Sequence, residues 1–253
     1  MLRNLLIILS LSLFLGAGQA PKWKTIFNGK NLKGWQMKIA GYPLNENFGN
    51  TFSVKDRILQ IRYNAYDSFR NRFGALYYNK KLHNYRLKAE YRFVGETTVG
   101  APSWGFRDGG VQYHCQSAES MQLNQTFPVC LEYNLHGGNG KDERPTGEIC
   151  TTGTFVEVSG KRITNTNCTL PTVKKTFHGD QWVTLEIDVQ GDKIKHFVNG
   201  EEILEYQNPR YNPEHAIAKT FIVNGDDKVK EGYISLQSNS HPIDFRKIEL
   251  MEY

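Results

Sequence analysis

Apolar and polar residues alternate with a period of two along most of the chain. In "YRLKAEYRF" the apolar positions are Tyr85, Leu87, Ala89, Tyr91 and Phe93, with Arg86, Lys88, Glu90 and Arg92 between them. That period places the two sets on opposite faces of a β-strand. Similar runs, rich in β-branched and aromatic residues, predict strands over 58–63, 73–78, 110–115, 129–136, 148–158, 182–190, 193–198, 232–238 and 243–253. Asn199-Gly200 is a strong hairpin signal, and the segment 190–193, "QGDK", reads as another turn. No stretch carries a long apolar period of 3.6. Many short antiparallel strands predict an all-β fold, a two-sheet antiparallel jelly-roll sandwich. No linker, repeat or low-complexity tract divides residues 21–253, which read as one domain.

The start breaks the pattern. "MLRNLLIILSLSLFLGAGQA" has an early Arg3, an apolar run from Leu5 to Leu15, and then small residues. This predicts a signal peptide over residues 1–20 and a periplasmic or secreted protein. The run is too short for a stable membrane span. Four cysteines, Cys115, Cys130, Cys150 and Cys168, then predict two disulfides. Strand parity argues against joining Cys115 to Cys130, since Cys115 lies opposite His114 in the alternation while Cys130 shares a face with Glu132. The formal net charge is only +5 and the basic residues are scattered. A nucleic-acid partner needs a concentrated basic patch, and none is visible.

Three polar segments are long for a sandwich: 95–109, 116–127 and 137–147. Such loops commonly form the rim of a binding site. There is no P-loop or GxGxxG, so no nucleotide cofactor is indicated, and no GxSxG or HExxH. In "LEIDVQGD", Glu186 and Asp188 share a face, as the carboxylates of a retaining glycosidase would. The third acid of that pattern is missing, because Gln190 and Gly191 occupy the positions where it would fall.

The densest chemistry lies in two other strands. Gln112 and His114 share one face of "GVQYHC"; Cys130, Glu132, Asn134 and His136 share one face of "VCLEYNLH". Paired, these strands would display Gln112, His114, Glu132 and Asn134 together, and a third strand would add Glu148. A carboxylate beside an imidazole suits a divalent-metal site, an acid/base pair or a structural ion pair. The residues leave these three open. Amides beside them suit sugar hydroxyls, which both donate and accept.

The chain also resembles a known family. "IFNGKNLKGWQ", "RDGGVQYHC", "PVCLEYNLHGG", "GDQWVTLEIDVQGDKIKHFVNGEEI" and "GYISLQSNSHPIDFRKIEL" occur in the order seen in the DUF1080 family of 3-keto-glycoside lyases, hydratases and hydrolases. The likeness spans essentially the whole chain after the leader. It implies a concanavalin A-like jelly roll of the lectin/glucanase type, acting on sugars oxidised at C3. It implies cleavage of 3-keto-glucosides by C1–C2 elimination, hydration of the 3-keto-2-hydroxy-glucal, or both. His114 and Glu132 match family strand positions and are expected as catalytic acid/base residues or as ligands of a divalent metal ion. Arg107, Gln112, Asn134, Glu148 and Gln237 are expected substrate contacts, and Trp104 a stacking platform for a sugar ring. A sugar C3-oxidoreductase is implied as a functional partner, because 3-keto sugars must be made. One position departs from the family: many relatives read L-Q-S-E-G where this chain has Leu236, Gln237, Ser238, Asn239 and Ser240. That departure keeps a non-catalytic, lectin-like sugar-binding domain in view beside the lyase and the conventional glycosidase.

Overall fold

A computed structural model describes residues 21–164 and 168–253. The expected leader, 1–20, lies outside the described residues. The strands, in chain order, are β1 (Lys24–Thr25), β2 (Trp35–Ile39), β3 (Phe52–Lys55), β4 (Ile58–Ile61) and β5 (Gly74–Tyr78). Next come β6 (Tyr85–Phe93), β7 (Asp108–Cys115), β8 (Cys130–His136), β9 (Glu148–Thr152), β10 (Thr154–Val158) and β11 (Lys161–Thr164). The last five are β12 (Val183–Gln190), β13 (Lys193–Val198), β14 (Glu201–Tyr211), β15 (Tyr233–Ser238) and β16 (Ile243–Glu252). All pairings between these strands are antiparallel.

They form two sheets. The larger runs β11-β10-β14-β13-β12-β6-β16-β4-β3, with β1 added beside β16; the smaller runs β2-β5-β15-β7-β8-β9. The inner faces make the core predicted by parity: Leu87, Ala89, Tyr91, Leu185, Ile187 and Phe245 from one sheet meet Val111, Leu131, Tyr133, Leu135 and Leu236 from the other. Burying each of the larger side chains contributes about 1.5–3 kcal/mol. The architecture is therefore the expected two-sheet jelly-roll sandwich.

The core holds one polar knot. His196 Nδ1 donates to the carbonyl of Gly147 at 3.0 Å, and its Nε2 accepts from the hydroxyls of Tyr113 at 2.8 Å and Tyr206 at 3.0 Å. Burial lowers the His196 pKa to about 4, so the ring is neutral and able to accept at Nε2.

Two departures from simple alternation shape the smaller sheet. The single strand expected over 148–158 is two, because Gly153 adopts φ +64° and passes the chain from the smaller sheet to the larger. In β7, Gln112 opposes Ser235 and Cys115 opposes Tyr233, so three steps on β7 match two on β15. The extra residue is His114, at φ +48°. This is a β-bulge built on a left-handed residue. Gly232 makes it possible: a Cβ there would lie 2.4 Å from the backbone carbon of His114.

Candidate functional site

The outward face of the smaller sheet carries polar residues in cross-strand rows. One row joins Ser235, Gln112, Glu132 and Cys150; the next joins Lys38, Ala75, Gln237, Gly110, Asn134 and Glu148. Asp108 opposes His136 at the end of β7 and β8. The β7–β8 pairing expected from the sequence is thus present, and it gathers Gln112, Glu132, Asn134, Glu148 and Gln237 on one surface.

Glu132 lies at the centre, with only 7% of its surface exposed. Its Oε2 accepts from Gln112 Nε2 at 2.9 Å and from Gln237 Nε2 at 3.1 Å. The hydroxyl of Ser235 donates to Gln112 Oε1 at 2.8 Å, which fixes that amide's orientation. Burial pushes the Glu132 pKa up to about 8; the Gln112 hydrogen bond opposes the shift, the Asp108 charge adds to it and His136 opposes it. Gly110 gives the carboxyl its room, because a Cβ at that position would fall 2.7 Å from Oε1.

Farther along the face, His136 Nε2 bonds Asp108 Oδ2 at 2.9 Å, and Nδ1 bonds the carbonyl of Pro145 at 3.2 Å. The Asn134 amide nitrogen also lies 3.2 Å from Nε2, so that nitrogen meets both a carboxylate and an amide. Burial opposes a charge on the ring, but the hydrogen bond to Asp108 and the Asp108 and Glu148 charges outweigh it and raise the His136 pKa. Asn239 Nδ2 donates to the other Asp108 oxygen. Asn134 Nδ2 donates to Glu148 Oε2 at 3.1 Å. A buried carboxyl with a raised pKa and an imidazole bonded to a carboxylate therefore occupy one polar floor.

Two of the long segments, 95–109 and 116–127, meet at Phe73, the residue before β5. Trp104 is 48% exposed and stacks on Phe73 with ring centroids 5.9 Å apart; Phe127 packs on Phe73 at 4.7 Å. Trp104 thus offers an exposed aromatic face. Lys38 is buried, and its Nζ donates to the carbonyls of Ile39, Tyr42 and Leu123 at 3.1, 2.8 and 2.9 Å, which ties the segment 116–127 to the end strand β2. Burial lowers its pKa.

One expected position is corrected. His114 does not join Glu132. The bulge turns its ring inward, 5.9 Å from Tyr85 and 6.2 Å from Tyr113, where it is 1% exposed and neither ring nitrogen has a hydrogen-bond partner among the described residues. Burial, and then the His83 charge, lower its pKa to about 3. The Arg107 guanidinium is held by the turn at 179–180. Its Nη2 donates to Asp180 at 2.8 Å and its Nη1 to the carbonyl of Gly179.

The carboxylates of the glycosidase reading are elsewhere. Glu186 lies on the outer side of the larger sheet, paired with Arg86 at 2.9 Å and Lys88 at 3.6 Å. Asp188 accepts from Tyr253 at 2.9 Å and from Gln190. Sequence parity placed His136 on the right face without assigning it a role. Asp108, Asn239 and Lys38 were missed; for Asp108 the signal was its even spacing with Gly110 and Gln112.

The expected metal pair of His114 and Glu132 is likewise not assembled. Among the described residues, one group of three donors comes within reach of a single ion: Glu148, Cys150 and Cys168. The two sulfurs of that group are bonded to each other, so they are not the thiolates a metal takes. The donor set does not fit a resident metal, and no step below uses one.

Polar side chains and an exposed aromatic ring on one sheet face are the groups that bind sugars. The chain belongs to the family described as 3-keto-alpha-glucoside-1,2-lyase-like domain, which it matches over residues 22–251. Among solved structures it is similar to two candidate glycosyl hydrolases of Parabacteroides distasonis ATCC 8503. One is 19% identical, with a TM-score of 0.53, and covers 92% of this chain and 100% of that one. The other is 15% identical, with a TM-score of 0.55, and covers 91% and 94%. A Bacillus subtilis protein with a galectin-like fold is 9% identical, with a TM-score of 0.52 and coverage of 87% and 90%. At these identities the likenesses bear on the fold alone. No curated protein matches the chain.

Proposed function

We propose that the protein is an exported enzyme that cleaves 3-keto-glucosides by C1–C2 elimination and hydrates the resulting 3-keto-2-hydroxy-glucal. The carrying observation is Glu132: a carboxyl with a pKa of about 8, clamped at Oε2 by two amides, on the floor of a polar face. Family membership supports the substrate class.

A ketone at C3 acidifies the C2 proton. Ionised Glu132 takes that proton, and the electron pair moves toward the C3 oxygen. A carboxylate with a raised pKa is a stronger base than an ordinary one and still ionises near neutrality. The His136 imidazolium supplies fixed positive potential as the enolate charge develops. Collapse of the enolate forms the C1–C2 double bond and breaks the bond from C1 to the glycosidic oxygen, which departs and takes a proton from solvent. In hydration, water adds to C1 and loses a proton to solvent, the C1–C2 double bond opens to the enolate, and protonated Glu132 returns the proton to C2. The sum is hydrolysis, with one carboxyl acting in both directions. Gln112, Asn134, Glu148 and Gln237 hold the sugar hydroxyls, and Trp104 stacks on a ring. The leader sequence supports export, and a sugar C3-oxidoreductase supplies the substrate.

The test is incubation with 3-keto-glucosides of each anomer, following the enone by ultraviolet absorbance. The expected result is enone formation by the native protein and none by Glu132→Gln. A second reading, a sugar-binding domain without catalysis, draws on Asn239, an amide that does no proton chemistry where many relatives carry an acid. Binding of the 3-keto-glucoside without any product would favour it.

A further inference from the structure

Cys115 and Cys130 are neighbours on the outward face of the smaller sheet. The bulge at His114 brings this about: it moves Cys115 opposite Tyr233, onto the face that Cys130 already shares with Glu132. The two residues belong to one buried side-chain cluster, with Ala75, Tyr77, Ala118 and Met121 under the segment 116–127. The parity argument against joining them therefore fails.

The pair also touches the site. Cys115 Sγ lies 3.6 Å from Ser235 Oγ, Ser235 donates to Gln112, and Gln112 donates to Glu132. No third metal-ligating group joins the two sulfurs among the described residues. Burial pushes the Cys130 thiol well up, so it is not a nucleophile in the folded chain. The protein meanwhile carries one disulfide, Cys150–Cys168.

We propose that Cys115 and Cys130 are joined as a second disulfide in the exported protein, closing the segment 116–129 beside Glu132. Two S–H bonds break and one S–S bond forms. The two electrons and two protons reduce a disulfide of the thiol–disulfide oxidoreductase or oxidised-glutathione class to two thiols. Because both sulfurs are buried once the segment packs, the exchange belongs to folding rather than to the finished molecule. The closed segment carries Phe127, which packs on Phe73, the residue before β5.

The proposal shares with the proposed function only the premise of export, and its test does not read activity. Two preparations of the full chain are compared: one secreted into an oxidising compartment, and one refolded from the reduced, denatured state in a glutathione redox buffer. Each is denatured without reductant, alkylated, and measured by intact mass and peptide mapping. The expected result is no alkylated cysteine, a mass lower by the four hydrogens of two disulfides, and a cross-linked peptide joining Cys115 to Cys130 in at least one preparation. Free, alkylated Cys115 and Cys130 in both preparations, or pairing of either with Cys150 or Cys168 in both, would overturn it.

Discussion

Gln112 and Glu132 stand directly opposite each other on neighbouring strands, and the amide of one donates to the carboxyl of the other at 2.9 Å. The amide steadies the carboxyl in either protonation state, and burial keeps most of it protonated at neutral pH. The same acid can then accept a proton from carbon and return it.

That dual role predicts opposite pH profiles for the two half-reactions. Elimination needs ionised Glu132, so its kcat/KM rises about tenfold per pH unit toward a plateau above about 8. Hydration needs the protonated acid and falls above the same value. Stopped-flow rates with a 3-keto-glucoside and with the isolated glucal measure the two limbs. Glu132→Gln loses at least about 10²-fold in kcat in both directions.

Stability carries the same signature. The folded pKa of Glu132, about 8, lies above the ordinary value of 4.5. Its contribution is fully present below the ordinary value and is lost as pH rises through about 8, because ionisation must then occur in a buried place. Glu132→Gln removes the titration. Melting temperatures of the native protein should fall relative to the variant between pH 5 and 8 and then run parallel, as differential scanning calorimetry would show.

Gly110→Ala tests the space around the carboxyl without changing any ionisable group. The added Cβ would meet Glu132 Oε1 at 2.7 Å and Cδ at 2.6 Å. Displacing the carboxyl by about 1 Å costs roughly 10²-fold in kcat. Activity within a few-fold of native would show that Glu132 does not act from this position.

Asp108→Asn removes the partner that favours the His136 imidazolium. The His136 midpoint, followed by the ring proton resonances in NMR, should move down. The raised pKa of His136 stabilises the fold most below the ordinary histidine value of 6.5, and that contribution is lost as pH rises through the raised pKa. The variant should therefore be less stable than native at low pH and approach it at high pH, with weaker elimination throughout.

His114→Asn should leave kcat within a few-fold of native. The ring faces the interior, and asparagine tolerates a left-handed backbone. A loss of activity comparable to that of Glu132→Gln, with the fold intact by circular dichroism, would restore His114 to the chemistry.

Strand parity carried the sequence reading far. It anticipated the core faces of β6 and β12, the pairing of β7 with β8, and the outward placement of Gln112, Glu132 and Asn134. It failed at His114 because a bulge depends on backbone conformation and on a glycine, Gly232, far away in sequence. It also ran through Gly153, where one residue at positive φ changes sheets. The partners of Arg107, Gly179 and Asp180, belong to a turn distant in sequence, which strand parity does not reach. Asp108 and Asn239 meet only when β15 is laid beside β7, a neighbour relation that no local pattern contains.

The bulge at His114 makes β7 a strand with two phases. Before residue 113 the odd residues face inward; by residue 115 an odd residue faces outward. Two relatives with the same letters at every column but a different backbone at one residue would present different side chains to their ligands. For this fold, a single matched histidine is weaker grounds for transferring a role than a matched histidine together with the glycine that turns it.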